Sequence, residues 1–332
     1  MKTKIKIISP ARLHLGFMDL NGSLGRKYGS VGLAIDSIET SLTVSKNSLN
    51  QNTALDENNK RAYQYANFIL KAYEVDETVL IDVHKKIPEH AGLGSGTQLA
   101  LSVGTAISKL FDLNLSLMDI GKILDRGNRS GIGIGAFESG GFLIDGGKGK
   151  SSELPPITVR QNFPDNWRII LLINSRKKGI HGQKEYDAFK TLKPFPEVLS
   201  EKLCRLVNMV ILPSIKEKNF SEFSKAIGQL QKVVGTHFSP IQGGVYSNPD
   251  IASIINYVEQ KGFMGVGQSS WGPTGFILVD SDTSAHKLAK DIKQNFFCKN
   301  LHIEITKGRN KGSLIEFDEN KNINQNNSIN IK

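Results

Sequence analysis

The sequence predicts a mixed fold of strands and helices in two halves, and three observations carry that reading. Strand-like apolar runs alternate with stripes at helical spacing; three glycine-dense loops lie between them; and a Gly/Lys/Ser stretch ending in Pro155-Pro156 divides the chain near its middle. With 332 residues the chain is long enough for two modest domains, each with its own core.

Lys2 to Ile8 alternates charged and apolar residues as a first strand and runs on into Ser9-Pro-Ala-Arg-Leu-His-Leu-Gly. Arg12 and His14 are two residues apart, so an extended backbone presents both on one face. Arg12 offers a planar fork for phosphate or carboxylate, and His14 a hydrogen bond or a proton. Asp19-Leu-Asn-Gly is turn chemistry, Tyr28 to Ile35 and Ser41 to Val44 read as strands, and Ser45 to Lys60 as a polar loop. Ala62, Ala66, Ile69, Leu70 and Tyr73 form a helical stripe.

The next stretch organises the chain. Val79 to Val83 is strand-like, and Ile87 to Leu99 follows as Ile-Pro-Glu-His-Ala-Gly-Leu-Gly-Ser-Gly-Thr-Gln-Leu. A helix then begins, with Leu99, Val103, Ala106, Ile107 and Leu110 on one face. Glycines between a strand and a helix let the backbone approach a ligand closely, and the first N–H groups of the helix attract anions. Gly92, Leu93, Gly94, Ser95, Gly96 and Thr97 are therefore a candidate phosphate cradle; a tight connection without a ligand is the plainer alternative.

Ser116 to Asp119 opens another helix with a capping-box pattern. Six glycines between Gly127 and Gly141 fit neither helix nor strand propensity and suggest backbone lying against a ligand or another loop. Glu138 in that run is a candidate metal or hydroxyl ligand. Asp145 to Pro156 reads as a linker.

In the second half, Trp167 to Ile173 is an apolar strand, and the basic loop after it carries His181, placed to reach a phosphate. Helices are predicted near Ser200 to Ile215, interrupted at Pro213, and near Ser221 to Val234. Gly235 to Tyr246 reads as a loop in which Gln242, beside Gly243, is held close to something. Asn248 to Gly262 has an N-cap, a proline at the first helical position and a terminal glycine. Gly265 to Gly275 is the third glycine-rich loop, before a strand at Phe276 to Val279, a helix at Leu288 to Phe296 and a strand at Ile303 to Thr306.

Composition bounds the function. The net charge of +10 is scattered, with no basic helix interleaved with aromatics, so an anionic small substrate or a solvated basic surface accounts for it better than nucleic acid. No apolar run is long enough to span a membrane and the N-terminus has no secretory pattern, which predicts a cytoplasmic protein. Cys204 and Cys298 have neither disulfide-framework nor zinc spacing.

Pro88 to Thr97 resembles the phosphate loop of the GHMP kinase superfamily, and Gly265 to Gly275 its third motif. Within that superfamily the strings Ala11 to Gly22, Glu89 to Gln98 and Arg129 to Gly141 resemble the β-ribofuranosylaminobenzene 5′-phosphate synthases of methanopterin biosynthesis. The resemblance runs over most of residues 1–310. It implies an α+β fold: an N-terminal domain over 1–155 like domain 2 of ribosomal protein S5, a ferredoxin-like domain over 156–310, and a mobile polar tail over 311–332.

Phosphoribosyl diphosphate and 4-aminobenzoate or 4-hydroxybenzoate are the implied substrates, giving a C-riboside, CO2 and diphosphate. Arg12, His14 and Gln98 are then the catalytic candidates. The loop from Gly92 to Thr97, with Gly131, Gly133, Gly135, Ser139, His181, Gln242, Gly243, Gln268 and Ser269, would bind substrate and diphosphate. Thr97, Asp19, Asp125 and Glu138 are candidate ligands for Mg²⁺, and no organic cofactor is expected. The partners are small molecules, with no nucleic acid, no membrane and room for a homodimer.

The string departs from a kinase pattern at Gly96, where a second serine is usual, and at Gly133, roughly where many of these kinases carry an aspartate base. An ATP-dependent small-molecule kinase is the alternative enzyme, and an effector-binding protein the non-enzymatic one.

Overall fold

A computed structural model of the chain describes residues 2–47, 59–174, 179–180, 182–297 and 300–319. Strands β1 (Lys2–Asp19) and β2 (Arg26–Lys46) form one long antiparallel hairpin. Asp19 closes its turn, with Oδ1 accepting the N–H groups of Asn21 and Gly22, each at 2.9 Å. The register slips between Pro10 and Ala11 and again between His14 and Gly16. Ile5 and Ile7 consequently serve one core while Ala11, Leu13 and Leu15 serve another. The short strands expected at the N-terminus are thus parts of two bent ones.

The first half continues with α1 (Lys60–Ala72), β3 (Val79–Lys85), α2 (Ser95–Leu110), α3 (Leu117–Ile123), α4 (Ile132–Glu138), β4 (Phe142–Asp145), β5 (Lys148–Gly149) and β6 (Ile157–Gln161). Ser116 caps α3 in a reciprocal box with Asp119, as its sequence predicts. The second half holds β7 (Arg168–Asn174), α5 (Gln183–Thr191), α6 (Glu197–Leu206), a π-helical turn at Val207–Ile211 and α7 (Leu212–Glu217). It continues with α8 (Phe220–Gln242), α9 (Pro249–Gln260), β8 (Val266–Gln268), β9 (Gly275–Val279), α10 (Asp282–Asn295), β10 (Leu301–Thr306) and β11 (Leu314–Glu319).

Two antiparallel sheets result. The larger has the order β11-β1-β2-β4-β6 with β3 and β5 also on β2, and the smaller is β10-β7-β9-β8. Helices α1 to α3 pack on the outer face of the first sheet, and α9 and α10 on the outer face of the second. The inner faces share one core with α6, α7 and α8, where Leu13, Leu33, Phe223, Leu230, Ile169 and Phe276 meet. Layering helix on sheet on helix buries both faces of each sheet.

Four expectations change. The stretch read as a linker is part of the first domain. Asp145 is buried, and its carboxylate accepts the N–H groups of Ser30, Gly131 and Gly147 at 2.9 to 3.0 Å and the Ser130 hydroxyl at 3.2 Å. Burial pushes its pKa up while those donors pull it down. Strands β5 and β6 also join the first sheet, so the two sheets part after Gln161 rather than at 155.

The segment expected as a mobile tail is in part β11, which pairs with β1 from Ile8↔Leu314 to Lys2↔Glu319. Pro213 does not break its helix, because the π turn before it places it at a new helix start, where its missing N–H costs nothing. And α8 continues through the predicted loop to Gln242: Gly235 sits within the helix because a side chain there would come within 2.7 Å of the Val245 carbonyl. Among the described residues no helix is long and apolar enough to cross a membrane.

Candidate active site

The loop before α2 is a tightly turned backbone held by long-range bonds. Gly92 and Gly94 take φ of 78° and 88°, the left-handed region that glycine tolerates. A Cβ on Gly92 would lie 2.3 Å from the Ser269 carbonyl oxygen, so no side chain fits. The Gly92 carbonyl accepts both Arg12 Nη1 and Ser269 Oγ at 2.6 Å, so both of its lone pairs are engaged. The first N–H groups of α2, from Ser95 to Thr97, have no intrahelical acceptor, and these three residues line a cleft.

Strand β1 organises the surroundings. Its pairing with β11 stops at Ile8, leaving a free edge at Arg12 to His14. That edge is taken by the two loops: Arg12 N–H donates to Leu93 O at 3.1 Å, His14 N–H to Ser269 Oγ at 3.0 Å, and Ser270 N–H to His14 O at 3.2 Å. The first and third glycine-rich loops are thereby tied to one strand. A third segment joins them, since Gly179 donates to His90 O at 2.8 Å.

Over this loop lies a cleft of about 330 Å³ lined by Arg12, Arg61, Gly92, Ser95, Gly96, Thr97, Arg126 and Trp271. Thr97, Arg126 and Gly182 connect it to a second cleft of about 710 Å³ that holds Arg129, Ser130, Asn128, Asp125, Lys148 and Tyr28. Buried Tyr65 brackets two of the cations: its hydroxyl accepts Arg61 Nε and Arg126 Nη2, each at 2.8 Å. Two guanidiniums held side by side repel each other unless an anion lies between them. The Arg129 guanidinium stands 4.6 Å from the Phe189 ring centre.

The predicted residues divide into three groups. Arg12, Gly92, Gly94, Ser95, Gly96 and Thr97 line the first cleft, and Asp125 lines the second. His14, Gln242 and Gln268 meet in a third, aromatic pocket, which shares Ser270 and Trp271 with the first. Arg12 and His14 thus face the same region but serve adjoining compartments. The His14 imidazole is 5 % exposed, and burial, helped by the Arg12 charge, pushes its pKa down to about 3, so it is neutral near pH 7.

The remaining described candidates do not line these three cavities. Gln98 is fully buried and donates to Gly133 O at 2.8 Å, tying α2 to α4 behind the cradle. The glycines of α4 allow close packing: added side chains would meet Pro155 O at 2.4 Å from Gly131, Thr97 at 2.8 Å from Gly133 and Ile157 at 2.8 Å from Gly135. Ser139 donates back to Gly135 O at 3.1 Å, and buried Ser269 bonds Gly92 and His14. Leu93 is buried with its carbonyl on Arg12.

Gly243 is the left-handed cap of α8, with φ of 84°. Asp19 is occupied by its turn and by Ser200 Oγ at 2.8 Å, while Glu138 is exposed on α4 outside both clefts. His181 lies outside the described residues. Among the described residues no three His, Cys, Asp or Glu side chains cluster as a metal site. Arg61, Arg126, Lys148 and Trp271 were not marked as site residues by the sequence. The Arg126-x-x-Arg129 spacing was the available signal, and glycine drew attention from it.

Comparison with known proteins fits this geometry. The family model for the GHMP kinases N terminal domain matches residues 60–141, and that for the GHMP kinases C terminal domain matches 211–297. A protein of Methanocaldococcus jannaschii named beta-ribofuranosylphenol 5′-phosphate synthase is 35 % identical, over 93 % of this chain and 99 % of its own. One of the same name from Archaeoglobus fulgidus is 32 % identical, over 94 % and 99 %. Among solved structures, mevalonate diphosphate decarboxylase from Staphylococcus aureus superposes with a TM-score of 0.65 at 17 % identity, over 96 % of this chain and 99 % of that one, a likeness of fold.

Proposed function

We propose, from the premise that this chain belongs to the beta-ribofuranosylphenol 5′-phosphate synthase family of the GHMP kinase superfamily, that it joins phosphoribosyl diphosphate to a 4-substituted benzoate. The bond from ribose C1′ to the diphosphate oxygen breaks and a bond from C1′ to the ring carbon bearing the carboxylate forms. Loss of CO2 then returns an electron pair to the ring. The name of the relatives, a ribofuranosylphenol phosphate synthase, favours 4-hydroxybenzoate over 4-aminobenzoate as the acceptor. The product would belong to methanopterin biosynthesis.

The observation that carries this reading is the pair of joined, cation-lined clefts over a helix N-terminus, which suits a ligand with two separated phosphate groups. Departure of diphosphate builds negative charge on the leaving oxygens and positive charge on the sugar. Backbone N–H groups at Ser95 to Thr97, with Arg12, Arg61 and Arg126, are already fixed around the first cleft and stabilise the departing group without reorganising. The 5′-phosphate then occupies the second cleft, against Arg129, Ser130 and Lys148. Anchoring both ends fixes C1′ between them, the positional contribution to rate.

Magnesium fits as a visitor on the diphosphate: Thr97, where the two clefts join, would offer it one hydroxyl while phosphate and water supply its other ligands, and Asp125 stands in the second cleft beyond. When bound it would neutralise charge on the leaving group. No general base is required beside the cradle, and Gly133 supports this: the space beyond its Cα is filled by the Thr97 methyl, where an aspartate would clash.

The test is substrate dependence. Diphosphate should appear only when phosphoribosyl diphosphate and the aromatic acid are both supplied, with ATP left intact. Conversion of ATP to ADP with a phosphorylated small molecule would overturn the reading in favour of a kinase.

A further inference from the structure

Gly96 is the one glycine of the cradle that its own backbone does not demand. Gly92 and Gly94 need their left-handed φ, whereas Gly96 lies in the first turn of α2 outside that region, where the backbone suits any residue. What occupies its side-chain space is Arg61. A Cβ on Gly96 would lie 2.7 Å from Arg61 Nη2, and its three nearest atoms all belong to that guanidinium. Glycine at 96 thus leaves Arg61 room beside the N-terminus of α2.

Arg61 is held there from behind. It lies one turn before Tyr65 on α1, and its Nε donates to the Tyr65 hydroxyl at 2.8 Å. Arg126 comes from the turn after α3, where Asp125 takes φ of 53° and the Arg126 N–H bonds Gly121 O at 2.6 Å. Its Nη2 donates to the same Tyr65 hydroxyl at 2.8 Å. The two guanidinium carbons stand over the Tyr65 ring, 5.6 and 5.5 Å from its centre.

Tyr65 itself is buried, its ring packed in the core with α2, so its hydroxyl is a fixed point from which both arms extend. Glu89 offsets the crowded charge only weakly: its carboxylate is 3.9 Å from Arg61 Nη1 and 53 % exposed, a contact that solvent screens. Two cations gathered on one neutral oxygen are unfavourable alone and favourable once an anion joins them.

We propose that Tyr65 is a positioning residue that gathers Arg61 and Arg126 into a two-armed clamp for a diphosphate group, and that Gly96 fits the cradle to that anion by leaving Arg61 its place. The identity of the anion rests on the synthase reading above. Arg61 lines the first cleft and Arg126 lines both, so a diphosphate on the α2 N-terminus meets one arm over the cradle and the other at the junction with the second cleft. Tyr65 lines neither cleft and acts only through the two arginines. Because they are held before the ligand arrives, the cost of ordering two long side chains falls on folding rather than on binding.

Calorimetric titration of the full chain with inorganic diphosphate tests the clamp, with inorganic phosphate as the single-group control. The parent is expected to bind diphosphate at least ~10-fold more tightly than phosphate. Tyr65→Phe should lose about 10-fold in diphosphate affinity, the worth of a hydrogen bond to a charged group. Its unliganded melting midpoint should stay within a degree or two of the parent, since the ring is kept and the freed guanidiniums can swing apart into the cleft. In turnover the loss should fall on KM for phosphoribosyl diphosphate and spare KM for the aromatic acid.

Two double-mutant cycles separate this from a merely structural tyrosine and glycine. Tyr65→Phe should cost clearly less in an Arg126→Ala background than in the parent. Gly96→Ala, which weakens diphosphate binding in the parent by displacing Arg61, should cost almost nothing in Arg61→Ala. Costs that are the same in parent and variant backgrounds, or a parent that binds diphosphate no better than phosphate, would overturn the proposal. A parent that binds diphosphate and shows both couplings but forms no C-riboside would instead reject the synthase reading and leave the clamp standing.

Discussion

Arg12→Ala is expected to lower kcat/KM by about 10²- to 10³-fold, the range for removing one fixed donor at a developing oxyanion, while the fold survives. Arg12 Nη1 holds the Gly92 carbonyl at 2.6 Å, and its stem runs within 3.4 Å of where a Cβ on Gly94 would lie, so its charge is placed by the loop it serves. The loop does not depend on it alone. Ser269 Oγ keeps the same carbonyl at 2.6 Å, and the Arg12 backbone bond to Leu93 is untouched by the substitution.

Steady-state kinetics with melting curves of both proteins check this. Arg12→Lys should recover part of the loss, because the point charge remains while the planar fork is gone. An Arg12→Ala protein with parental kcat/KM would remove Arg12 from the site.

Asp145→Ala is expected to be the most damaging single change away from the clefts. It would strip four donors of their acceptor in a buried site: the N–H groups of Ser30, Gly131 and Gly147 and the Ser130 hydroxyl. At about 1–3 kcal/mol per stranded buried group, a loss of at least ~3 kcal/mol follows. For a chain of 332 residues, with an unfolding entropy of about 2.1 cal/mol/K per residue, that lowers the melting midpoint by roughly 4–5 °C, read by calorimetry. Asp145→Asn should fall between, since its amide turns one acceptor into a donor facing an N–H. A midpoint within a degree or two of the parent in the alanine variant would show that the donors find other partners. Because Gly131 opens α4 and Ser130 lines the second cleft, the same variant should also weaken anion binding.

These two residues mark what the sequence made legible and what it hid. Arg12 and the Gly92 to Thr97 loop could be read because local rules suffice there: a strand, glycines that permit positive φ, and an amphipathic helix. The family resemblance added the chemistry. Asp145 was hidden because Asp-Gly-Gly-Lys is also the composition of a flexible connector, and only the fold reveals which backbone donors converge on the carboxylate.

The glycines of α4 and Gly235 of α8 misled for a related reason. They serve close packing against side chains and carbonyls distant in sequence, which overrides their low helix propensity. Gln98, next to the cradle in sequence, is turned into the core, where it bonds the Gly133 carbonyl. The strand β11 was obscured by the Asn-rich stretch beyond it, although Leu-Ile-Glu-Phe already alternates. Arg61 and Arg126 reach the cleft from a helix and a turn whose apolar neighbours drew the reading toward the core.

The measurement that tests the central claim most directly is the fate of the acceptor's carboxylate. Phosphoribosyl diphosphate, Mg²⁺ and 4-hydroxybenzoate labelled in the carboxyl group should yield labelled CO2 in equal amount with diphosphate, and an unlabelled riboside. A riboside that keeps the label would contradict bond formation at the carboxylate-bearing carbon. Consumption of ATP with neither CO2 nor riboside would contradict the synthase altogether.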